Sequence, residues 1–217
     1  MKQFLPFFLL LLSSVSFAQT SKYGTFYDQR KSLFEILPDT KNEIIFLGNS
    51  ITNFCEWGEL FQNPHVKNRG ISGDVTQGVL DRLDEVTRAK PAKVFLLIGI
   101  NDLSRNIPKD TVLLNITKIA DNIHHASPKT RIYLQSILPV NDRFGLFPNH
   151  TNKTAEIKWI NENLVSLCKD KGYTFVDLYS HFKNSNDDKM NPEYTNDGLH
   201  LLGKGYLLWA NIIKPLL

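Results

Sequence analysis

Several things are scarce in this chain of 217 residues. It has two cysteines, Cys55 and Cys168, and they do not form a C-x-x-C pair, so no metal or dithiol redox motif is supported. A chain this long can bury a core without staples. An oxidising compartment permits one bond between the two thiols, but buried free thiols are the expectation. Charge of one sign is also missing: 25 Lys+Arg against 22 Asp+Glu leave a formal net charge of +3 without basic clusters. Nothing in that balance argues for nucleic acid. No Pro/Gly/Ser-rich linker or internal repeat breaks the chain, and past the N-terminus no apolar run is long enough to span a membrane. With 42% hydrophobic and 22% charged residues, the disordered, collagenous and low-complexity classes are excluded.

What is present begins with an address. Residues 1–18, MKQFLPFFLLLLSSVSFA, place one lysine before a short apolar run from Phe4 to Leu12 and end on small residues. This is the pattern of a cleavable secretory signal peptide, and the run falls short of the roughly 20 residues a membrane helix needs. Cleavage after Ala18 is expected, leaving a single domain over 19–217 in the periplasm or outside the cell. No cysteine near the junction suggests a lipid anchor.

The remainder alternates short β-rich runs with longer helical ones. Strands are predicted over Glu43–Leu47, Val66–Arg69, Lys93–Ile98, Arg131–Ser136 and Tyr173–Val176. Val112, Ile116, Ile119 and Ile123, and then Ile157, Ile160, Leu164 and Leu167, recur at helical spacing. Apolar strands joined by helices imply an α/β fold, with a parallel sheet covered on both faces. Ligands in such folds lie beyond the carboxyl ends of the strands. The residues there, Gly48-Asn49-Ser50, Gly70 to Asp74, Gly99 to Asp102 and Ile137 to Asn141, are mostly small or polar.

Ser50 follows an apolar strand and opens a predicted helix over Ile51–Trp57, which by itself reads as an ordinary N-cap. The segment Asn196-Asp197-Gly198-Leu199-His200 supplies what a nucleophilic serine requires. It brings an imidazole to take the hydroxyl proton and a carboxylate three residues earlier to orient that imidazole. A last helix is predicted over Leu202–Leu216.

Four blocks, FLGNSIT (46–52), NRGISGDVT (68–76), LLIGIND (96–102) and DGLH (197–200), resemble the SGNH or GDSL-type hydrolases. The branch they resemble contains platelet-activating-factor acetylhydrolase catalytic subunits and bacterial carbohydrate O-acetylesterases. The resemblance implies a three-layer α/β/α sandwich on a central five-stranded parallel sheet, flavodoxin-like in plan. It implies Ser50 as nucleophile, His200 as base and then acid, and Asp197 as its orienting partner. Ser50, Gly73 and Asn101 would form the oxyanion hole. The expected activity is hydrolysis of small acyl esters, acetyl above all and on carbohydrate, without cofactor or metal. A lysophospholipase or thioesterase acting on longer chains, or a carbohydrate-binding module without chemistry, are the alternatives. Position 49 departs from the family: Asn stands where Asp is common. No G-x-S-x-G elbow surrounds Ser50, which argues against the α/β-hydrolase fold.

Asp74 and Asp102 read as acids that fix loops or cap helices. His65, His124, His125 and His181 read as surface histidines. The long stretch Pro139–Lys153 is placed to shape specificity, with Arg143, Phe144 and Phe147, and with Trp57 and Arg105 from elsewhere, as candidate substrate contacts. Asn-x-Thr sequons begin at Asn115, Asn149 and Asn152.

Overall fold

The computed structural model describes residues 21–217, so the expected signal peptide lies outside the described residues. Five parallel strands, β1 (Ile44–Gly48), β2 (Val66–Gly70), β3 (Lys93–Leu97), β4 (Arg131–Gln135) and β5 (Thr174–Val176), form one sheet in the order β2-β1-β3-β4-β5. Each begins or ends within one residue of its sequence expectation. The apolar run of β3 is buried along its whole length, as a strand covered on both faces requires.

Register decides which side chains share a face. Phe46 of β1 lies opposite Phe95 of β3, which lies opposite Tyr133 of β4, and the three rings stack at 5.1 and 4.4 Å. Over this row pack Trp57 from α3 (Trp57–Leu60), stacked 4.2 Å from Phe46, and Trp209 from α11 (Gly203–Ile213). Trp209 also donates its indole N–H to Gln135 Oε1 at 2.7 Å. Ile45, Leu47, Val94 and Leu96 alternate to the other face, where the buried rows of α7 (Lys109–Ala126) and α9 (Thr154–Lys171) pack on each other.

Two expectations are corrected here. The helix expected over 51–57 stops after one turn as α2 (Ser50–Asn53), leaving Cys55 in a bend before α3. Trp57, expected as a substrate contact, is a core residue only 1% exposed. Cys55 and Cys168 are both buried free thiols, and burial raises their pKa values to about 12 and about 11. The expected last helix is α11 plus a short 3₁₀ turn over Lys214–Leu216.

The chain leaves β1 for β2 on one side and returns to β3 on the other, so strand order reverses between β1 and β3. That is the switch point at which doubly wound sheets hold their ligands. The loop after β1 carries Ser50 and the loop after β3 carries Asn101.

Candidate active site

Asn49, and not Ser50, is the N-cap of α2: its Oδ1 accepts from the Ile51 N–H at 3.1 Å. Ser50 is therefore the first helical residue, whose N–H has no partner within that helix. Its hydroxyl stands at the end of the sheet, 3.0 Å from His200 Nε2. His200 Nδ1 lies 2.7 Å from Asp197 Oδ2. The other carboxylate oxygen of Asp197 accepts the backbone N–H groups of Leu199 and His200 at 2.8 and 2.7 Å. A proton on Nδ1 satisfies the carboxylate and leaves the Nε2 lone pair facing Ser50. Burial of Asp197 alone would raise its pKa; the His200 ring and those two N–H groups outweigh this and hold it below the usual carboxylate range. The loop is tied to the sheet by the Asn141 N–H, which donates to Gly198 O at 2.8 Å.

Facing this chain are the other two predicted residues. Gly73 sits in a turn closed by the Asp74 N–H on Ile71 O at 3.1 Å, with φ +80°. Positive φ at the third position of such a turn is what glycine supplies. A Cβ there would meet only Arg105 Nη2 at 4.0 Å, so within the protein conformation, rather than crowding, requires the glycine. Asn101, in α6 (Ile100–Ser104), donates from Nδ2 to Asp74 O at 2.8 Å. Ser50, Gly73, Asn101 and His200 line one cavity of about 260 Å³ together with Ser72, Ser104, Arg105, Phe147, His150 and Leu199.

Behind the cavity, buried charges hold the loops. Arg82, with 0% of its side chain exposed, donates to Asp74 Oδ2 at 2.9 Å, Glu85 Oε1 at 2.7 Å and Arg69 O at 2.9 Å. Asp102 accepts the Thr76 N–H at 3.0 Å and its hydroxyl at 2.6 Å, capping α4 (Thr76–Leu80) from helix α6. Asp102 thus sits in the first turn of α6, whose N-cap is Gly99, and its carboxylate fixes the start of a different helix. Burial raises the pKa of Asp74 to about 6 despite the Arg82 charge beside it, and raises Glu85 and Asp102 for the same first reason.

Of the other candidates, Phe147 and Arg105 reach the cavity, and Arg105 donates to Gly73 O at 2.8 Å. Arg143 instead pairs with Asp187 at the surface, and Phe144 packs toward Gly198. His65, His124, His125 and His181 are exposed. Asn115 is buried and bonds Thr76 Oγ1 at 3.0 Å, so its sequon is closed to a glycan; Asn149 and Asn152 are exposed. Among the described residues no group of three or more His, Cys, Asp or Glu could hold a metal, and no helix is long and apolar enough to cross a membrane.

Two site residues escaped sequence reasoning. Phe54, more than half exposed, lies 5.3 Å from the His200 ring, tilted 39° to it. His150, in the one-turn helix α8 (Pro148–Thr151), places Nε2 3.1 Å from Asn101 Oδ1. A histidine inside a sequon carries no spacing signal toward an asparagine 49 positions earlier.

A five-stranded parallel sheet in this order, with helices around it, is the SGNH hydrolase fold, and at its switch point a hydroxyl, an imidazole and a carboxylate form one hydrogen-bonded chain. The chain is a carboxylic ester hydrolase. The profile of the GDSL-like Lipase/Acylhydrolase family matches residues 46–208, and the protein belongs to that family. It is 30% identical over 185 residues to human platelet-activating factor acetylhydrolase IB subunit alpha2, covering 82% of this chain and 76% of that one. A GDSL-like lipase structure from Bacteroides thetaiotaomicron superposes with a TM-score of 0.76 at 26% identity, over 88% of this chain and 96% of the other. An acetylxylan esterase from Geobacillus stearothermophilus shares the fold at a TM-score of 0.64 and 18% identity, over 82% and 95% of the two chains.

Proposed function

We propose that this protein is a secreted serine esterase that removes a small acyl group, acetyl above all, from an oxygen of a carbohydrate. The observation that carries the reading is the 3.0 Å contact between Ser50 Oγ and His200 Nε2, with Asp197 2.7 Å behind the ring. Ser50 Oγ attacks the ester carbonyl as its proton passes to His200 Nε2. The imidazolium is stabilised by Asp197, and it then gives the proton to the leaving alcohol oxygen. Water, deprotonated by the same nitrogen, releases the acid and restores Ser50. Charge on the tetrahedral oxygen is met by the N–H groups of Ser50 and Gly73 and by Asn101 Nδ2, and each such donor is worth about 3 to 4 kcal/mol.

The size of the acyl group is argued from the cavity of about 260 Å³. Most of its lining residues carry a polar side chain, with Phe147 and Leu199 adding apolar surface, which suits a short acyl group on a hydroxylated alcohol. The carbohydrate is supported by the family branch and by the export signal expected over 1–18. A second reading, a longer-chain acylhydrolase, rests on a different observation. A groove of about 480 Å³, lined by Phe54, Leu60, Tyr206 and Leu207 with Glu56 and Glu59 among its walls, shares with the active site the Phe54 ring that flanks His200.

A series of p-nitrophenyl esters separates the two. Activity lost beyond about four acyl carbons supports the acetylesterase; a maximum at longer chains supports the groove. A screen of acetylated sugars then identifies the alcohol. Fluorophosphonate labelling of wild type but not of Ser50→Ala excludes a binding module without chemistry, and a mature N-terminus at Gln19 checks export.

A further inference from the structure

Asn101 is a symmetric-looking group in an asymmetric task. Its flat amide has an oxygen on one edge and an NH₂ on the other, and a half-turn about the last side-chain bond exchanges them. In one orientation it donates to a developing oxyanion; in the other it would present an oxygen to it. Two neighbours decide between them. The Asp74 carbonyl accepts from Nδ2 at 2.8 Å and cannot accept from an oxygen. On the other edge, His150 Nε2 stands 3.1 Å from Oδ1.

We propose that His150 is a positioning residue for the oxyanion hole: its Nε2–H holds the Oδ1 of Asn101, so that the second Nδ2 proton stays aimed at the substrate carbonyl. The inference rests on Asn101 acting as an oxyanion donor, as proposed above.

The scaffold is suited to this. His150 is half-buried, and its helix turn is fixed by the His150 N–H on Phe147 O at 2.8 Å and by the Thr151 hydroxyl on the same carbonyl at 3.2 Å. The Phe147 ring meets the imidazole edge-on at 5.8 Å. Helix α8 packs against α6, which carries Asn101. Burial, and then repulsion from Arg105 and from His200 whenever that ring carries a proton, hold the pKa of His150 below the ordinary histidine range, which favours the neutral ring. A neutral ring suits its place, because His200 becomes a cation during attack and a second cation in the same cavity would oppose it. His150 is not placed to take the serine proton: that contact belongs to His200.

The test uses the purified protein and p-nitrophenyl acetate. Removing an oxyanion donor outright costs about 10²- to 10³-fold in kcat, so releasing one should cost less. His150→Ala is expected to lower kcat about 10- to 100-fold with KM changed less than about threefold. His150→Gln, whose terminal amide N–H falls where Nε2–H was, should recover most of that rate, whereas the shorter His150→Asn should not. In an Asn101→Ala background, His150→Ala should cost less than about threefold more, because the group it positions is gone.

Equal losses in both backgrounds, a change confined to KM, or a Gln variant no better than Ala would each overturn the proposal. The Gln variant also guards against misfolding, since a merely structural role would not separate it from Asn. Failure of the underlying reading looks different. It would appear as a wild type that neither labels with fluorophosphonate nor hydrolyses the ester, or as Asn101→Ala with full activity while wild type is active.

Discussion

Asp197 and Asp74 are the same residue type in two regions of one site, and their proton affinities move in opposite directions. Asp197, a fifth exposed, accepts one imidazole and two backbone N–H groups, and its pKa falls. Asp74, buried in the wall behind the oxyanion loop, meets Arg82 and the Val75 N–H, yet its pKa rises to about 6. The difference is solvent. Hydrogen bonds to a carboxylate win where water still reaches it, and desolvation wins where it does not. On the proposed mechanism the first region moves a proton, while the second ties loops together through Arg82.

Substitution should break the two regions in different currencies. In the front region the largest effect is on rate. Ser50→Ala or His200→Ala should reduce turnover by roughly 10³- to 10⁶-fold, while leaving the urea midpoint nearly unchanged; a parallel loss of stability would erase the distinction. Asp197→Asn should cost somewhat less, about 10³- to 10⁴-fold in kcat, since the ring keeps its place but loses its preferred tautomer.

The back region should show the reverse. Arg82→Met leaves Asp74 and Glu85 buried beside too little positive charge, and breaking such a pair costs about 3 to 5 kcal/mol. Chemical denaturation measures that loss, and a variant as stable as wild type would show that the cluster is not what holds the loops.

The pH dependence sharpens the comparison further. A carboxyl whose folded value lies above its unfolded value keeps its proton longer in the folded protein. The contribution of Asp74 to stability is therefore full below its ordinary 3.8 and is lost as pH rises through about 6. Asp197 behaves oppositely: its contribution is present above the ordinary value and is lost as pH falls through its lowered folded value. The stability of wild type relative to Asp74→Asn should accordingly fall between pH 4 and pH 7, and a rising difference would refute the assignment. The smallest effect is expected at Asn49→Ala, which removes the cap of α2 at a cost of about 1 kcal/mol in denaturant unfolding.

Much of this was legible in the linear chain. The central strands β1, β3 and β4 are legible as short runs rich in apolar residues because a strand buried on both faces has no polar side; the outer strands β2 and β5 carry more polar or half-exposed positions. Ser50, Asp197 and His200 are candidates in the sequence because a nucleophile needs a base and the base needs an acid, and because their blocks resemble a known family; the structure brings the three side chains into one hydrogen-bonded chain. Less legible were the lengths of one-turn helices. Nothing local predicts that α2 stops after Asn53, and Trp57 looked available to substrate until the Phe46 ring was found against it. The sequence likewise could not tell a sequon with an exposed asparagine from the one whose Asn115 is bonded inside the wall.

The order of residues, then, determined the fold class, the positions of the strands and the identity of the candidate reacting groups, because periodicity and chemical type are properties of short stretches. Tertiary structure alone decided that His150 meets Asn101, that Phe54 flanks His200, and that Arg82 rather than solvent answers Asp74. Those facts depend on distances between residues far apart in the chain, set by the strand order and by which side of the sheet each loop leaves.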